Sequence, residues 1–187
     1  ATQHAQAILN VAIAEGEPSA EWSEFVQYLI ATALGNDADA AIPVILAAIV
    51  RPDGAESGSA ANWQLAALSS FLEALERRKT GLAQLKADGG HELAELVTST
   101  GRIFAAARDI AVDEDAPLDR RLNAVPLLGR GIENESSDME LLGELLSPRT
   151  PPVLQSAAVA ALAGLTSGDV PTILLQEWRG HSPRLQG

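Results

Sequence analysis

One part of the chain repeats itself at a spacing of 34 to 35 residues. An offset of 34 places Pro117 on Pro151, Ala124 on Ala158, Val125 on Val159 and Leu128 on Leu162. A second apolar helix pattern follows each stretch, and Ser147-Pro148-Arg149 then recurs as Ser182-Pro183-Arg184. One helix pair cannot cover its own apolar face, so pairs with this period stack and share a core. The period therefore predicts an α-solenoid.

The composition agrees with this prediction. The chain has 187 residues, of which 33 are Ala and 26 are Leu, whereas only 4% are aromatic. Ala and Leu are strong helix formers, and the β-branched and aromatic residues that favour strands are scarce. We therefore predict an all-α fold, namely an α–α superhelix in the form of a HEAT-like solenoid of antiparallel helix pairs. The patterns WxxLGxxY and TPLHxA of the rival repeat classes are absent from the sequence.

We expect a single helical-repeat domain over residues 1–187 with three sections. Residues 1–52 form N-terminal helices, residues 53–112 form irregular middle helices that follow a Gly- and Ser-rich loop at 53–61, and residues 113–187 form two regular HEAT-like repeats.

Within these sections, several local features are predicted from single residues. Asp37 or Asp39 caps a helix, Thr80-Gly81 ends another, Gly101 kinks or breaks a long helix that begins at His91, and Pro126 bends its helix.

Charge and cysteine content exclude several functions. The net charge is −12, from 13 basic and 25 acidic residues, which opposes binding to nucleic acid. There is no Cys, so disulfides, thiol catalysis, zinc–cysteine sites and covalent c-type haem attachment are excluded. No apolar run reaches the length that a membrane-spanning helix needs, so no direct membrane insertion is expected. No cofactor is predicted.

The stretch from Ile103 to Leu185 contains the phrases FAAARDIAVDEDAPLDRRLNAVPLLGRG, LLGELLSPRTPPVLQSAAVAALAGL and LLQEWRGHSPRL. It resembles the HEAT-like region of planctomycete-type membrane-bound dehydrogenase, haem-binding proteins. Those proteins typically join a propeller-like sugar-dehydrogenase-type domain, a helical-repeat segment and a C-terminal cytochrome c domain. The resemblance implies a non-catalytic scaffold from a larger extracytoplasmic protein, which contacts other domains of the parent chain or a partner protein.

Two alternatives stay open. His91, Glu92 and Glu95 form the sequence HELAE, which differs from the zinc-binding motif HExxH in its last ligand and would make the protein a metal-dependent hydrolase. The same residues also suit an acidic first turn of a helix. The second alternative is a small-molecule site between the middle helices of residues 53–112. An acidic run at 113–119 lacks the Gly and Glu of a calcium-binding loop, which favours a solvated turn.

Four arginines are structural or interaction candidates. Arg120 and Arg121 lie together on the first helix of the repeat pair, and Arg149 and Arg184 each follow a proline at equivalent places. We interpret them as side chains that tie neighbouring repeats together, with contact to a partner as the functional alternative. The three tryptophans fall on apolar stripes, which favours core positions over a ligand cage; they are Trp22, Trp63 and Trp178.

The last apolar helix has little polar surface, so we expect part of its apolar face to be exposed. This face would mediate self-association through the C-terminal end or be covered by further residues. Its apolar residues are Ile173, Leu174, Leu175 and Trp178.

Overall fold

The structure is a computed structural model that describes residues 27–28, 30–32, 34, 39–51 and 60–175. Of these residues 73% are helical and none lies in a strand, which confirms the all-α class for the described part of the chain. Predictions for Asp37, Trp22, Trp178, Arg184 and most of the loop at 53–61 fall outside the described residues.

The chain divides into two compact units, residues 1–103 and residues 104–187. Their helices are α1 (Ala41–Val50), α2 (Asn62–Arg77), α3 (Leu82–Asp88), α4 (Gly90–Ser99), α5 (Gly101–Val112), α6 (Leu118–Ala124), α7 (Glu135–Glu144), α8 (Pro152–Ala163) and α9 (Val170–Leu175). A 3₁₀ turn, Val125–Leu127, follows α6 directly. The boundary between the units falls inside α5, and the organisation as a single repeat domain stays a prediction.

In the first unit, α1 contacts α2 and α4, and α3 contacts α4. An apolar stripe of α2 forms part of the core, since all four leucines of this helix are buried; they are Leu65, Leu68, Leu72 and Leu75. Trp63 is also buried, so its predicted core position is confirmed. The predicted break near Gly101 is confirmed as well, because α4 ends at Ser99 and α5 begins at Gly101.

One predicted helix cap is wrong. The Asp39 side chain does not cap α1; its carboxylate pairs with Arg78 instead. The predicted end of the next helix is confirmed, because α2 ends at Arg77 and Thr80 and Gly81 lie outside any helix. The residue that adopts the left-handed conformation there is Lys79, with φ 56°. The amide of Lys79 then donates to the Glu76 carbonyl at 2.8 Å, which is one of the two hydrogen bonds of a Schellman ending.

The junction between α3 and α4 is short. Only Gly89 separates the two helices. A Cβ atom on Gly89 would lie 2.5 Å from the Leu85 carbonyl oxygen and closer still to the Leu93 side chain. A residue with a side chain would therefore force the two helices apart.

The second unit contains the two predicted helix pairs. The α6 helix and its 3₁₀ turn contact α8, while α7 contacts both α8 and α9. Pro126 lies inside the 3₁₀ turn, as expected from a residue that cannot donate the backbone hydrogen bond of a continuing α-helix.

Two of the apolar residue pairs aligned by the offset share their burial, whereas Val125 is buried and Val159 is half-buried. Ala124 and Ala158 are both inaccessible to solvent, and Leu128 and Leu162 are each no more than 1% exposed. In the last helix, Val170 is buried and Ile173 and Leu174 are half-buried. Self-association through this end stays a prediction.

Candidate functional site

Equivalent polar side chains on α6 and α8 reach back to the last turn of α5 and to the turn that follows α7, respectively. Arg121 Nε donates to the Ala111 carbonyl at 3.1 Å, and Gln155 Nε2 donates to the Ser147 carbonyl at 2.7 Å. Both donors are buried, Arg121 to 7% exposure and Gln155 to 1%. The last carbonyls of a helix have no partner within it, and a buried unpaired carbonyl is costly. Arg121 supplies such a partner to the Ala111 carbonyl in the last turn of α5. The Ser147 carbonyl lies in the turn after α7 and accepts the Thr150 amide at 2.9 Å as well as Gln155 Nε2.

The backbone around these side chains is also equivalent. Pro117 and Pro151 are the residues before the two helices, with φ −52° at both and ψ of 138° and 136°. The backbone amides of Arg121 and Gln155 donate to these prolines' carbonyls, each at 3.1 Å. Residues 34 positions apart at the start of these two helices therefore have the same local backbone structure.

Gln64 makes a contact of the same kind in the first unit. Its Nε2 donates to the carbonyls of Ile49 at 2.8 Å and Arg51 at 2.9 Å, at the end of α1. Its Oε1 accepts the Ala61 amide at 3.1 Å, and the residue is inaccessible to solvent.

Sequence reasoning singled out Arg121 but missed the two glutamines. In the sequence, an arginine on a predicted buried face indicates a polar contact, whereas a neutral glutamine gives no such indication. The available signal was the repeat itself, since the 34-residue offset places Arg121 on Gln155.

The other candidate arginines have different surroundings. Arg120 is half-buried on α6. Arg149 is exposed, and its backbone amide donates to Ser147 Oγ at 3.4 Å. Arg184 lies outside the described residues. Their predicted structural or interaction roles stay predictions.

A buried ion pair that the sequence did not reveal links α5 to α7. The Asp138 side chain is 1% exposed and accepts Arg108 Nε at 2.5 Å and Nη2 at 3.3 Å. It also accepts the Gly129 amide at 2.9 Å, and Arg108 Nη2 donates to the Glu133 carbonyl at 3.3 Å. Asp138 therefore joins three segments of the second unit.

The HELAE residues lie on the surface of α4. His91 Nε2 is 3.5 Å from Glu95 Oε1, and the two side chains are 87% and 70% exposed. Glu92 is an exposed acidic residue of the first turn. Within the described part of the chain, no three His, Asp or Glu side chains are grouped so as to hold a metal ion. Of the three HELAE residues, His91 and Glu95 form this exposed pair, and the hydrolase alternative stays a prediction.

The acidic run after α5 forms a turn. Asp113 Oδ1 accepts the Asp115 amide at 3.0 Å, and the Asp113 carbonyl accepts the Ala116 amide at 3.2 Å. Local hydrogen bonds of this kind are typical of an Asx turn.

The first unit also contains an open cleft of about 580 Å³. It is lined by Ala31, Leu34, Asp39, Ala74, Arg77, Arg78 and Thr80. Ala31, Leu34 and Asp39 belong to the N-terminal section, and the other lining residues lie at the end of α2. This cleft is therefore not between the middle helices of residues 53–112, and the small-molecule alternative stays a prediction.

None of the helices in the described ranges combines the length and apolar character that crossing a membrane requires. Comparison with known proteins gives no match to a family model, to a curated protein or to a solved structure.

Proposed function

We propose that the chain is a non-catalytic HEAT-like scaffold that presents stacked helix pairs to a partner protein or to other domains of a parent chain. The observation that carries this proposal is the equivalence of Arg121 and Gln155, whose side chains both donate to a backbone carbonyl of the segment before their helix, at the end of α5 and in the turn after α7.

The contacts in the second unit support the stacking. The first helix of the earlier pair contacts the first helix of the later pair, and α7 contacts α9 in the same manner. In a solenoid each repeat packs on its neighbours, and the continuous surface that results is used for binding. Under this proposal the two pairs are successive turns of an α–α superhelix.

Two exposed apolar side chains suggest where a partner binds. Leu118 and Val153 are 44% and 45% exposed, and each lies in the first turn of a repeat-equivalent helix. A single exposed leucine is ordinary on a protein surface. The recurrence of an apolar side chain at the same end of two contacting helices supports a binding edge.

The wider setting is also part of the proposal. The resemblance to the dehydrogenase–cytochrome proteins supports an extracytoplasmic location and a role between the domains of such a protein. The net charge of −12 supports a protein partner over nucleic acid.

Photo-crosslinking in the full natural protein, produced in its source cell, tests the proposal. A photoreactive phenylalanine analogue replaces Leu118 or Val153, and the control position is Glu140, which is exposed on α7. Both edge positions should crosslink to the same partner or domain, well above the control. Equal yields from all three positions would refute the binding edge, and with it the proposed scaffold surface.

A further inference from the structure

The most basic segment of this acidic chain is Arg77-Arg78-Lys79, which holds three of its 13 basic residues. Two of them have structural roles. Arg78 donates to the Leu34 carbonyl at 3.0 Å and pairs with Asp39, and Lys79 forms the left-handed ending of α2. Arg77 differs, because it is exposed and the described residues offer its guanidinium no hydrogen-bond or ion-pair partner.

Arg77 borders the cleft of about 580 Å³ in the first unit. Ala31, Leu34 and Ala74 contribute apolar surface to this cleft, and Thr80 contributes a hydroxyl group. Asp39 offsets the charge of Arg78, since the two side chains are paired. The charge of Arg77 is therefore the uncompensated charge among the described lining residues, in a chain whose net charge is −12.

A basic residue in the last turn of a helix also has an ordinary explanation. It interacts favourably with the negative end of the helix dipole. That role requires a positive charge and no particular shape, so Lys serves it as well as Arg. Binding of a carboxylate is different, because the planar guanidinium offers two parallel N–H donors that Lys cannot reproduce.

We propose that this cleft binds a small organic carboxylate. The carboxylate pairs with the Arg77 guanidinium, and the aliphatic part of the ligand lies against Ala31, Leu34 and Ala74. The chemistry follows from the described lining residues, which combine apolar side chains and one hydroxyl with a guanidinium, that of Arg77, for which they offer no partner. This proposal is independent of the scaffold function.

An NMR titration of the full chain with butyrate tests the proposal, with butyramide as the uncharged isostere at the same ionic strength. Butyrate should cause saturable shifts of the Thr80 and Ala74 amides, with a dissociation constant on the order of 1 mM, as expected for one charge-assisted contact and a short chain. Butyramide should cause no saturable shift. Equal effects of the two compounds, or no shift with either, would overturn the proposal.

Variants separate carboxylate recognition from the helix-end role. Arg77→Ala should weaken butyrate binding by about tenfold or more, and Arg77→Lys should weaken it while leaving the melting temperature unchanged. The matched control is Lys86→Ala, which removes an exposed basic residue from the last turn of α3 and should leave binding unchanged. Wild-type affinity in either Arg77 variant, or an equal loss in the Lys86 variant, would show that the cleft does not recognise a carboxylate through Arg77.

Discussion

Replacement of Asp138 by Ala should strongly destabilise the second unit. The substitution leaves Arg108 without the carboxylate that accepts its Nε at 2.5 Å, and it leaves the Gly129 amide without its acceptor. Removing one partner of a buried ion pair costs about 3–5 kcal/mol. Arg108 keeps 20% side-chain exposure and its contact with the Glu133 carbonyl, which places the expected loss near the lower limit, at about 3 kcal/mol.

Urea denaturation followed by circular dichroism measures this loss as a change in the free energy of unfolding. Hydrogen exchange adds a local measurement, since the Gly129 amide should exchange faster once its acceptor is removed. The matched control is Asp109→Ala on α5, where the carboxylate is exposed and the free energy should change by no more than about 0.5 kcal/mol.

A double-mutant cycle with Arg108→Ala tests whether the two charges act as a pair. Residues in one network couple by about 0.5–3 kcal/mol, so the double variant should lose less stability than the sum of the single variants. The reasoning is refuted if Asp138→Ala costs less than about 1 kcal/mol or if the two single losses simply add.

Lys79→Gly should raise the free energy of unfolding by about 0.5–1 kcal/mol, because a left-handed conformation is costly for a residue with a Cβ atom; an unchanged urea midpoint would contradict this. Gly129→Ala should lower it by about 2 kcal/mol, since Gly129 has φ 78° and the added Cβ would lie 2.7 Å from Leu165 Cδ1. A second change, Leu165→Ala, should then cost less in the Gly129→Ala background than in the wild type. Excess zinc should leave the melting temperature unchanged, whereas a rise that is lost in His91→Ala would favour the hydrolase alternative.

Local sequence signals predicted the secondary structure well. The leucine stripe of α2 is buried because residues three and four apart fall on one face of a helix. The break near Gly101 and the 3₁₀ turn at Pro126 follow from the backbone preferences of single residues. Such features depend on neighbouring residues alone.

Helix ends were predicted less well, because several residues compete to end a helix. Thr80 and Gly81 were expected to end α2 and do lie outside it, but the left-handed residue at this helix end is Lys79. The pairing of Arg78 with Asp39, residues 39 positions apart, also removed the expected cap from α1. At Asp39 a tertiary contact outweighed the local preference.

By itself, the sequence determined the helical class, the buried faces of the helices and the 34-residue period, because helix propensity and apolar spacing act over a few turns of chain. The partners of the buried polar groups were decided by tertiary structure alone. Asp138 meets Arg108 across 30 residues, and Gln64 reaches Ile49 across 15. The cleft beside Arg77 likewise requires Ala31, Leu34 and Asp39 to lie next to the end of α2. A polar side chain gains a partner only where packing excludes water and brings a complementary group within hydrogen-bond distance, and no local pattern of residues encodes that distance.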